Sequence, residues 1–149
     1  MEELLDLHEA LLQHRYGEAL EIVDEMTAMA KKEIINRIGS YIRILLLHLI
    51  KSHAEQKMTR SWKVSIRYAL EEICEENQRE SARGTYISNE ELQQMIDKKF
   101  TSALDRAALE SLEGKYELRE FAKLIDADAV KAQALEYILH GFPETEEAI

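Results

Sequence analysis

Apolar residues recur along this chain at helical spacing, and period-two alternation never persists for more than a few positions. A first stripe starts at Leu4 and Leu5 and resumes at Leu11 and Leu12, with His8 in the turn between, which predicts a helix over 2–15. Gly17 follows as a predicted stop. From Glu18 a second stripe runs through Ile22, Val23, Met26 and Met29 to Ile34, Ile35 and Ile38, and Gly39-Ser40 marks a predicted kink or break. The segment 41–50, YIRILLLHLI, is apolar on nearly every side. Only Arg43 and His48 are strongly polar in it, so this helix is expected to be surrounded by others.

Residues 51–60 read as a loop, with Thr59 or Ser61 placed to cap a helix over 61–78. In that helix Trp62, Ile66, Ala69, Leu70, Ile73 and Cys74 share a face. The pattern stops around Ser81 to Thr85 and restarts at Ser88, where Glu91 completes a capping box. Leu92, Met95, Ile96, Phe100, Ala103, Leu104 and Ala107 then form the cleanest stripe in the chain. A break at Gly114 precedes a last helical region, split near Asp126–Asp128 and stopped by Gly141 with Pro143 beyond. The expected fold is all-α: a compact bundle of five to six helices around the apolar helix at 41–50. The 149 residues read as a single domain, with 142–149 as a frayed acidic tail.

Composition narrows the function. A formal net charge of −10 favours solubility and disfavours nonspecific adhesion to DNA or anionic membrane. The single cysteine, Cys74, forbids an internal disulfide or a multi-cysteine zinc site and suits a reducing compartment. The opening MEELLDLHEA is acidic where a signal peptide is basic, and the run at 41–50 is far short of the ~20 residues of a membrane span. The expected setting is the cytoplasm, with no membrane partner.

Catalytic signatures are missing. The five glycines are dispersed, so no phosphate loop forms, and neither a His-Glu-x-x-His nor a Glu-x-x-His occurs. No G-x-S-x-G elbow is present. His8 and His14 diverge by roughly 120° around a helix. No catalytic residue, metal ligand or cofactor is therefore assigned. His48 reads first as a hydrogen-bonded core histidine and second as the centre of an enzyme or metal site; Asp126 and Asp128 read as a helix cap before a metal loop. Cys74, beside Ile73, reads as core packing rather than a nucleophile.

One stretch breaks the charge pattern. Lys51, Lys57, Arg60, Lys63 and Arg67 face Glu55 alone between 51 and 67, a local charge of about +4. Cations at a helix N-terminus oppose its macrodipole, and Lys63 and Arg67 repel as like charges four apart, so helix stability does not explain them. Either they bridge to acidic helices nearby, or Lys57, Arg60, Lys63 and Arg67 form an interaction patch. Trp62, on the apolar stripe, is expected to be buried.

The run Ile44-Leu45-Leu46-Leu47-His48-Leu49-Ile50-Lys51, then Arg60-Ser61-Trp62, Ser65-Ile66-Arg67 and Glu72-Ile73, resembles the signature of the domain-of-unknown-function 29 family. These are small, mainly bacterial proteins abundant in cyanobacteria. The resemblance covers about residues 18–75 and touches Phe142-Pro143, without the family's second proline. It implies a compact helical domain and no established activity, with His48, Lys51, Arg60, Ser61, Trp62 and Arg67 at family-like positions. The functional expectation is a non-enzymatic module that binds a protein partner. The alternatives are a nucleic-acid-linked regulator using the cations at 57–67 and an enzyme or metal protein centred on His48.

Overall fold

The computed structural model describes residues 2–79 and 83–143. It is all-α: six helices and one short 3-10 turn, with no strand among the described residues. The helices are α1 (Glu2–Leu12), α2 (Tyr16–Glu55), α3 (Arg60–Asn77), α4 (Asn89–Glu110), α5 (Leu118–Ala122) and α6 (Ala127–His140). The chain forms two compact units, Met1–Asn36 and Arg37–Ile149. Residues 144–149, most of the expected acidic tail, lie outside the described residues, as do Ser81 and Ala82 of the expected break.

The first unit is a helical hairpin. α1 ends not at Gly17 but earlier, where His14 takes a positive φ of 58° and Arg15 N–H bonds back to the Ala10 carbonyl at 2.8 Å. His14 Nδ1 meets the Tyr16 hydroxyl at 2.9 Å and Arg15 pairs with Glu18 at 2.6 Å, fixing the entry to α2. Gly17 sits inside α2. Its helix penalty of about 1 kcal/mol is one that a long helix tolerates. Ala10 and Ala19 are buried in this unit. The leucines of the first stripe are not: Leu5 is 68% exposed and Leu12 66% exposed.

The second unit begins within α2, which runs through Gly39-Ser40 without a break and continues to Glu55, replacing half of the expected loop with helix. Gly39 has a packing role instead. A Cβ there would lie 2.8 Å from Cε of Lys99, so the missing side chain lets Lys99 lie across α2. Ile38, Ile42, Leu45, Leu46, Leu49 and Ile50 are fully buried. This half of α2 is bordered by α3 through Arg37–Glu76 and the Tyr41–Tyr68 edge contact, by α4 through Arg43–Ser102, and by α6 through His53–Gln133.

Local signals set the remaining helices. Thr59 caps α3 by accepting from Trp62 N–H, and Ser88 and Glu91 make the reciprocal capping box of α4. Asp126 caps α6 through Ala129 N–H, and Gly141 ends it. Leu92, Ile96, Phe100, Ala103 and Ala107 bury the α4 stripe, and α4 packs against α5 and α6. Between α4 and α5, Gly114 has a φ of 66°, and a Cβ there would meet the Leu109 carbonyl at 2.8 Å, so no other residue fits without strain. Between α3 and α4 the buried Asn77 side chain accepts from Ile87 N–H at 2.8 Å and donates to Ile87 C=O at 3.3 Å. Gln78 and Thr85 add one isolated antiparallel bridge.

Candidate functional site

Positions 44, 48, 51 and 55 recur every three to four residues, so one face of α2 carries Ile44, His48, Lys51 and Glu55 towards its end. α4 meets it with Arg106, Glu110 and, at its C-cap, Ser111. Lys51, with its side chain only 10% exposed, donates to Glu110 Oε1 at 2.5 Å, and Arg106 pairs with the second oxygen of the same carboxylate. The Lys51 hydrogen bond holds the Glu110 carboxyl below its ordinary range against the opposing effect of burial, and Arg106 adds to it. One turn on, the buried Ser111 hydroxyl donates to Glu55 Oε2 at 2.6 Å. The other Glu55 oxygen faces Lys57 at 3.4 Å.

His48 stands beside this chain of charges and outside it. Its Nδ1 is buried with no hydrogen-bond partner, unlike the satisfied core histidine expected. Burial first, then the Lys51 charge, pushes its pKa below 6.5, with Glu110 opposing. Burial thus favours the neutral ring. Among the described residues, no group of three His, Cys, Asp or Glu side chains is placed to hold a metal ion.

The cations at 57–67 do not act as a unit. Lys57 is paired with Glu55 and lies 6.0 Å from the centre of the Trp62 ring. The Arg67 guanidinium stacks over Phe142 at 5.7 Å. Arg60 and Lys63 have no ion-pair partner among the described residues, and of the cations from 51 to 67 the one that bridges to another helix is Lys51, through Glu110, while Lys57 pairs with Glu55 only two residues away. Ser61 Oγ is 3.3 Å from Thr59 Oγ1 at the helix start. Trp62 is half-buried rather than enclosed.

Cys74 is a correction. The buried side of α3 is Ile66, Ala69, Ile73 and Asn77, spaced three to four apart. One residue past Ile73 turns the helix by roughly 100°, and Cys74 is exposed.

Sequence reading missed the Lys51–Glu110 and Glu55–Ser111 links, whose partners are 59 and 56 residues apart. It also missed an open cleft of about 390 Å³ between α2 and α4, lined by Arg43, Ile44, Leu47, Ser102 and Arg106. A charged residue within an apolar run, Arg43, was the one available signal. No helix among the described residues is long and apolar enough to cross a membrane. Compared with known proteins, the chain matches no family model, no curated protein and no solved structure.

Proposed function

We propose that this chain is a non-enzymatic interaction module that binds a partner protein through its N-terminal helical hairpin. The carrying observation is the apolar surface of that unit. Leu4, Leu5, Leu11 and Leu12 on α1, and Tyr16, Leu20 and Val23 on α2, are all large and exposed. On each helix they recur at helical spacing and so form a stripe, which distinguishes them from scattered surface leucines. The fitting occupant is an amphipathic helix of the partner, anchored at three- and four-residue intervals. The acidic flanks Glu2, Glu3, Asp6, Glu9 and Glu18 favour a partner whose rim is basic.

The test is affinity capture from the native lysate after nuclease treatment, run with the wild-type chain and with Leu5→Glu/Leu12→Glu. A protein retained by the wild type and lost by the variant is expected. Equal retention would refute the hairpin surface. Sedimentation of the purified chain separates a second copy from a foreign partner.

A second reading rests on Arg60 and Lys63, cations with no ion-pair partner among the described residues. As phosphate contacts they would make this chain a nucleic-acid-linked regulator whose affinity falls steeply with salt. Membership of the domain-of-unknown-function 29 family, proposed on residues 44–73, assigns no activity and is compatible with both readings.

A further inference from the structure

The cleft between α2 and α4 has the makings of a ligand site in a different part of the molecule from the hairpin. Its volume of about 390 Å³ is that of a small-molecule pocket. Ile44 and Leu47 give it an apolar wall. Arg43 reaches it from α2 and Arg106 from α4. Each guanidinium is fixed through Nε: Arg43 to Ser102 Oγ at 2.9 Å, Arg106 to Glu110. That leaves the forked Nη ends of both without a hydrogen-bond partner among the described residues, and this is the arrangement that receives an oxyanion bidentately.

The surrounding charge agrees. Lys99, lying across Gly39 one turn before Arg43, has its pKa lowered by burial and then by the nearby charges of Arg43 and Lys98. Cations are crowded here in a chain of net charge −10. Glu110, the carboxylate paired with Arg106, is already held by Lys51 as well. A crowd of like charges is unfavourable unless an anion joins it.

We propose that this cleft binds an amphipathic organic anion, with a carboxylate or phosphate head between Arg43 and Arg106 and an apolar body against Ile44 and Leu47. The proposal stands apart from the hairpin reading, and either can fail alone.

The test uses the full chain labelled with ¹⁵N and with ¹³C methyl groups, titrated with octanoate, octyl phosphate, inorganic phosphate and octanol. Saturable shifts at the Ile44 and Leu47 methyls are expected with octanoate or octyl phosphate. Which of the two binds more tightly tells a carboxylate head from a phosphate head. Inorganic phosphate and octanol should each bind at least roughly tenfold more weakly, since each lacks one half of the recognition. Arg43→Gln and Arg106→Gln should each weaken binding by roughly tenfold or more, whereas Arg15→Gln in the hairpin should not. No shift at Ile44 and Leu47 with either octyl anion overturns the proposal without requiring any variant. So does octanol binding as tightly as octanoate, inorganic phosphate binding as tightly as octyl phosphate, or affinity that survives both arginine substitutions.

Discussion

α2 has one periodicity and two fates. In its first half Leu20 is 64% exposed and Met29 54% exposed; in its second half Ile42, Leu45, Leu46 and Leu49 have no exposure at all. Both halves repeat apolar residues at helical spacing, so amphipathicity alone does not decide burial. The difference lies in what is available to cover them. From Arg37 onward α3, α4 and α6 border the helix, and its apolar side chains extend around most of its circumference. Within the first unit only α1 and the start of α2 are present, and among its described residues only two short alanines, Ala10 and Ala19, are buried. A stripe with no cover in its own unit is a surface, whatever its sequence resembles.

The sharpest way to break this comparison is a matched pair of truncations. Leu46→Ala should lower stability by about 2–5 kcal/mol through lost burial and a residual cavity. Leu20→Ala should stay within about 0.5 kcal/mol. Urea denaturation followed by circular dichroism measures both, and similar costs for the two would erase the distinction. Next in size is Trp62→Ala. Half-burial predicts about 2 kcal/mol, short of the ~3–5 of a fully enclosed aromatic; a larger loss would place Trp62 in the core.

A smaller effect tests the unpartnered His48. Its folded pKa lies below 6.5, so the unfolded chain takes up the proton first. The stabilisation is complete above pH 6.5 and is lost as pH falls through the folded pKa. Glu110, also lowered, acts with the same sign in a separate window that opens below pH 4.5. Urea midpoints from pH 7.5 down to 5 should therefore fall in the wild type and flatten in His48→Gln. An unchanged slope in the variant would mean the ring is solvated. The smallest expected effect is that of Arg60→Ala/Lys63→Ala. Melting as the wild type does is expected, because the fold gives neither cation an ion-pair partner among the described residues; a lower melting temperature would show that they brace α3.

What could be read from the sequence was short in range. The Ser88–Glu91 box, the Thr59 and Asp126 caps, the Gly141 stop and the α4 stripe depend on residues within a turn or two of each other. The errors share a physical cause too. Gly17 and Gly39 were expected to interrupt helices, but a glycine weakens a helix by an amount that neighbouring turns outweigh. Whether it breaks depends on packing that a local window does not contain, as Lys99 across Gly39 illustrates. Cys74 was misplaced because the face of α3 that turns inward is narrower than the apolar one. His48 stood out as a polar residue within an apolar run, whereas Lys51 was expected at the start of the loop that follows. The partner of Lys51, 59 residues away, had no local signal.

The Asn77 clamp has a consequence for how this chain tolerates change. Two hydrogen bonds between Asn77, the last residue of α3, and Ile87, together with the Gln78–Thr85 bridge, close the α3–α4 connection at its base. Whatever length of chain lies beyond that seal transmits little of itself to the helices. Closing a longer loop costs only about 0.6 kcal/mol for each doubling of its length. An insertion beside the exposed Gly84 is thus expected to cost the folded body little stability.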